Sequence, residues 1–243
     1  MFGIQCTNAS TGELTISSEA YTFGYLGKAT FVSSTPAQNV DSLSSTSGYS
    51  TWTFTSSGPI LVALGLKSSG QTGVALLSMS KSGSTWTITT YDGGTGSVSP
   101  SSGGTYDAQN TTTDVYVFGF PGSLPAFGVA LYNAAGTLTG DLSRMPLTPA
   151  SRIALADSVL ATTIPVLTKP AIIGKPWYEQ KTSSGSGVSY VNQGYRGMWH
   201  WTGDNQLHRA EYLDSYENSD SGVTPSLFRG ACTGILIEAN GLT

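Results

Sequence analysis

No segment of this chain holds an apolar stripe at helical spacing for long; its apolar residues alternate with polar ones over short runs instead. Alternation with a period of two places one set of side chains on each face of a pleated strand. Trp52 and Phe54 fall on one face of such a run, with Thr51, Thr53 and Thr55 on the other. Ala75, Leu77 and Met79 mark a second run, which turns over Lys81 to Ser84 and returns through Trp86, Ile88 and Thr90. "PILVALGL" and "DVYVFGF" are apolar on both faces and read as central strands. Charged residues make up only 11% of the chain, against about 25% in ordinary soluble domains. Ser, Thr and Gly supply the missing polarity, and β-branched Thr suits a half-exposed pleated surface. The expected fold class is therefore all-β.

The chain also writes one passage twice. From Phe2 and Phe127, with Thr11 as a one-residue insertion, seven of the thirteen positions up to Thr15 and Thr139 are identical. Phe2, Ile4 and Cys6 alternate, Asn8 to Gly12 carry turn chemistry, and Leu14 opens a returning strand; Phe127 to Leu138 repeat the plan. Gly12 and Gly136 stand where a positive φ costs little. Duplication of a folding unit is the preferred explanation. It implies two β-sandwich-like units beginning with similar hairpins, residues 1–121 for docking and assembly and residues 122–243, with a boundary among Pro121 to Pro125. Within the second unit, Thr148 to Leu160 suits either one short helix or short strands. "DGGTGSVSPSSGGTYDAQNTTT" and "KTSSGSGVS" read as loops.

Several functions are excluded by what is missing. A net charge of −4 gives no electrostatic footprint for nucleic acid or an anionic membrane surface. No apolar run approaches the ~20 residues that span a bilayer, and the N-terminal residues lack the pattern of a secretory signal. Cys6 and Cys232 are expected to be buried free thiols of a reducing compartment, with a bridge closing a very long loop as the alternative. No phosphate-binding loop or recurring metal motif occurs, and no cofactor is expected. His200, His208 and Glu211 are spaced unlike any common metal site and read as a solvated loop. Asp204, Glu211 and Asp214 could furnish the acid and base of glycoside cleavage, but scattered acids carry little weight. A non-enzymatic role is expected.

The strongest compositional signal lies in residues 177–216, which hold three of the five tryptophans, five of the twelve tyrosines and both histidines. Strand geometry gives Trp199 and Trp201 a common face, with His200 opposite. Aromatic plates beside hydrogen-bonding groups suit a sugar or a protein surface. Tyr190, Tyr195, Trp199, Trp201, His200 and Tyr212 are thus the candidate receptor or subunit contacts. Burial of the two tryptophans in the core is the competing reading.

The form "FGVALYNAAGTLTGD", echoed by "FGIQCTNASTGELTIS", resembles tail-tip proteins of tailed bacteriophages, whose hairpins follow "GLxVxNAxGxLxxD". Gly128, Val129, Leu131, Asn133, Ala134, Gly136, Leu138 and Asp141 fit it. Gly140 stands where an aromatic is common, and Cys6 where a branched aliphatic is usual. The resemblance implies a virion protein of the tail tip or baseplate, assembled in the host cytoplasm. It implies other tail proteins as partners and a homo-oligomer, a trimer by preference. A receptor-binding adhesin using the aromatic segment is the alternative.

Overall fold

The computed structural model describes residues 5–7, 14–17, 23–35, 38–40, 44–46, 49–66, 72–94, 113–120, 130–141, 144–156, 161–174, 178–186, 189–201, 203, 205–219, 226–229 and 231–242. The strands of the first half are β1 (Gln5–Thr7), β2 (Leu14–Ser17), β3 (Gly24–Lys28), β4 (Thr30–Thr35), β5 (Gln38–Val40), β6 (Ser44–Thr46), β7 (Tyr49–Thr55), β8 (Ile60–Gly65), β9 (Thr72–Ser82), β10 (Thr85–Gly94) and β11 (Val115–Gly119). Those of the second are β12 (Ala130–Tyr132), β13 (Leu138–Asp141), β14 (Ser151–Leu155), β15 (Ala161–Thr163), β16 (Pro170–Ile173), β17 (Tyr178–Ser186), β18 (Ser189–Trp201), β19 (Gln206–Ser219), β20 (Ser226–Arg229) and β21 (Cys232–Glu238). The molecule is all-β, with no helix among the described residues. Ser151–Leu155 forms a strand, so the helical alternative for that stretch is corrected: Ile153 and Leu155 alternate inward with a period of two.

Two large antiparallel sheets form a sandwich. One has six strands in the order β14-β21-β16-β8-β11-β3; the other has eleven, with β4-β7-β10-β9-β18-β19-β6-β5 as its main path. Trp52, Val74, Ile88, Trp199 and Leu207 from the larger sheet meet Val62, Leu64, Val115, Val117, Ile172 and Leu236 from the smaller in one apolar core. The six-stranded sheet is buried on its other face too, where Ala63, Tyr116, Phe118, Ala171 and Ile237 pack with Leu147 and Leu242. Double-sided burial accounts for the unbroken apolar runs of β8 and β11.

The expected division at residue 121 does not divide the sheets. β8 pairs with β16, β9 with β18, and β6 with β19, so each large sheet draws strands from both halves. Two separate sandwich-like units are therefore replaced by one interleaved sandwich. The physical reason is that β8 needs neighbours on both edges and cover on both faces, and its own half supplies only part of them.

What is duplicated is the hairpin. β1–β2 and β12–β13 each form a two-stranded sheet apart from the large ones. Gln5 pairs with Ser17, Cys6 with Ile16 and Thr7 with Leu14; Ala130 pairs with Asp141, Leu131 with Gly140 and Tyr132 with Leu138. These registers are equivalent pair for pair, and in both the ladder slips past one extra residue, Thr15 or Thr139. In the second copy the bulge is satisfied internally, because the buried Thr139 hydroxyl donates to the Leu131 carbonyl at 3.1 Å. Asn133 builds the turn: its side-chain oxygen accepts the amides of Ala135 and Thr137, and Gly136 sits at φ +77°. The matching Asn8-to-Gly12 turn lies outside the described residues, as do most of the long Gly/Ser loop and Pro121 to Pro125.

β9 and β10 make the expected hairpin, closed over Gly83 and Ser84. Its ladder slips at Leu77. The slip turns Leu76 and Met79 toward the main core, while Ala75 and Leu77 pack on the opposite face with Met198. A strict alternation placed Ala75, Leu77 and Met79 together; the bulge separates them.

Candidate functional site

The aromatic segment folds as a meander of long strands. β18 and β19 pair along almost their whole length, and β17 adds to the other edge of β18 from Ser189 to Arg196. The stretch "KTSSGSGVS" thus belongs largely to the β17–β18 hairpin rather than to a loop, since a ladder with β18 satisfies its backbone.

Trp199 is fully buried and Trp201 is 8% exposed, both in the core between the sheets. The Trp199 indole N–H donates to the carbonyl of Gly174 at 3.0 Å, tying β18 to the end of β16 across the sandwich. Gly174 has φ +117°, and a Cβ there would lie 2.8 Å from the Thr233 carbonyl oxygen. Glycine alone brings that carbonyl under the indole without strain. Core burial is therefore the correct reading of these two tryptophans, and they offer no ring to a receptor. Trp199 is inward because its neighbours across the ladder, Val74 and Arg209, are themselves buried on that face.

Tyr190 stands opposite Ser219 and Gly185, Tyr195 opposite Leu213 and Gln180, and Tyr212 opposite Arg196. Their backbones occupy the part of the meander beyond the β9 contact; their side chains lie outside the described residues. Glu211 stands opposite Gly197, Asp214 lies on β19 between Leu213 and Ser215, and Asp204 is outside the described residues.

His200 and His208 lie on strands rather than in the expected solvated loop. They are directly opposed in the β18–β19 ladder, half-buried, with ring centres 5.9 Å apart. Among the described residues, no group of three or more His, Cys, Asp or Glu side chains converges as a metal cluster. Cys232 is a buried free thiol in the main core, while the Cys6 side chain lies outside the described residues.

Sequence reasoning gave no hint of a charged cluster at one end of the six-stranded sheet. Asp114, just before β11, accepts Lys169 at 2.9 Å, Lys28 at 3.3 Å and the Tyr116 hydroxyl at 2.9 Å. Both ammonium groups also lie over the Tyr116 ring, at 5.5 and 5.8 Å from its centre. Burial pushes the Asp114 carboxyl up, but hydrogen bonds from Lys169 and Tyr116 and the two lysine charges outweigh it. The net position is below the usual carboxylate range. Burial pushes the Tyr116 phenol up to about 12, with the Asp114 carboxylate adding to the shift. Asp114 is thus ionised at neutral pH and held by three partners. This is a brace across β3, β11 and β16, not a proton donor. Its members lie 53 or more residues apart except for Asp114 and Tyr116, so no local motif announces it.

Compared with protein-family models, curated proteins and solved structures, the chain matches none.

Proposed function

We propose that this chain is a non-enzymatic virion protein of a bacteriophage distal tail, at the tail tip or baseplate, which assembles through subunit contacts. The duplicated hairpin carries the reading. The passage that resembles tail-tip proteins folds at both places into the same bulged two-stranded unit, hydrogen-bonded into neither large sheet. A repeated module outside the main sheets is suited to joining copies or neighbours, since the sandwich does not depend on its strands for pairing. The low charge of the chain supports the same role, because few surface charges oppose association of sheet edges. Its partners are then other tail proteins and further copies of itself, with a trimer preferred, in a virion assembled in the host cytoplasm.

The adhesin alternative loses its two tryptophan anchors to the core and keeps only the tyrosine-bearing end of the β17–β18–β19 meander. The test combines two measurements. Sedimentation equilibrium of the purified chain is expected to give an oligomer, and antibody labelling of tailed particles is expected to mark the distal end. A chain that stays monomeric at high concentration, with no copy in mature particles, overturns the proposal.

A further inference from the structure

The chain has two histidines, and the fold sets them directly opposite each other on adjacent strands. They are separated by eight positions in sequence, and nothing in that spacing brings them together; the antiparallel register does. Directly opposed residues hold their Cβ atoms about 4.5–5.5 Å apart. The two rings, 5.9 Å between centres and inclined at 61°, share the face of the sheet opposite Trp199 and Trp201.

That separation suits a shared ion. With metal–nitrogen bonds of about 2.0–2.1 Å, two imidazoles on one ion place their ring centres roughly 5–6 Å apart. The surroundings suit it as well. Along the row of paired residues, Gly73 of β9 flanks His200 and Ala161 of β15 flanks His208. Ala161 contributes only a methyl group, leaving room for water on the outer side. On the Gly73 side the space is taken by the Met198 thioether, which a Cβ at Gly73 would overlap. Copper(II) heads the affinity order of the divalent first-row ions at imidazole nitrogen sites.

We propose that His200 and His208 together chelate one divalent late first-row metal ion, copper(II) most tightly, with water completing its coordination. The ion clips β18 to β19 next to the β9 contact. It is independent of the tail-protein reading and holds or fails without it.

The experiment uses the full native chain in mildly alkaline buffer, with copper(II), zinc, magnesium and calcium salts added alone. Calorimetry is expected to show one equivalent of copper(II) bound, zinc more weakly, and neither of the oxygen-preferring ions. Because the chain has only two imidazoles, its proton NMR spectrum carries two such ring signals, and substoichiometric copper(II) is expected to broaden both together. The bound ion is expected to raise the melting temperature by linkage, an increment lost in His200→Gln and in His208→Gln. Absence of copper binding, broadening of one ring alone, or variants that bind like the native chain overturns the proposal. The NMR result on the native chain decides the matter even if a variant fails to fold.

Discussion

Replacing Trp199 by alanine is the most demanding test of the sandwich described here. The side chain is fully buried between the two sheets, and truncating a buried tryptophan costs about 3–5 kcal/mol. The upper part of that range applies, because the substitution also strips the Gly174 carbonyl of its indole donor. A domain of this kind has about 5–15 kcal/mol of total stability, so a third or more of it is lost in most of that range. At about 2–4 °C per kcal/mol for a chain of this size, the melting temperature falls by roughly 8–20 °C. Trp199→Phe keeps most of the ring packing but loses the N–H, and about 1–3 kcal/mol is expected for the orphaned carbonyl. Val166, 89% exposed, provides the control: Val166→Ala stays within about 0.5 kcal/mol. Thermal unfolding followed by circular dichroism reads all three, and iodide quenching of the native protein should leave Trp199 and Trp201 protected. A Trp199→Ala protein that melts with the Val166→Ala control would refute the burial and restore these rings as a contact surface.

Three further outcomes follow from the fold. Because the Asp114 carboxyl is held below its ordinary range in the folded state, its contribution to stability is full above the ordinary carboxylate range. It is lost as pH falls through the lower folded value. Asp114→Asn should flatten that part of a denaturation-midpoint profile against pH. The Glu238 part should remain, since burial raises that carboxyl but the amides of Thr168, Asn240 and Lys169 lower it further. On the alkaline side Tyr116 should contribute below the ordinary tyrosine range and cease to do so as pH rises toward about 12. In the second hairpin, Thr139→Val removes the hydroxyl that satisfies the Leu131 carbonyl. A loss of about 1 kcal/mol is expected, read as faster amide exchange confined to Ala130–Asp141; unchanged exchange there would contradict the account of the bulge.

Much of the architecture was legible because it is local. Adjacent strands joined by a short turn need only their own alternation and turn residues, which is why the β9–β10 hairpin and the two repeated hairpins are readable from the residues alone. The candidate site was less so. Alternation correctly put Trp199 and Trp201 on one face and His200 on the other, but it cannot say which face is covered.

Pattern along the chain determined that this protein is built from strands, where several of them turn, and that one hairpin recurs. Tertiary structure decided the rest: that β8 pairs with β16 rather than staying within its half, and that the tryptophans point inward. It also decided that Lys28, Asp114 and Lys169 meet, and that the two histidines stand opposite one another. The physical reason is that turn chemistry and alternation act between near neighbours, whereas burial and long-range pairing depend on which distant strand satisfies an open edge. A single bulge, as at Leu77, is enough to exchange the faces beyond it.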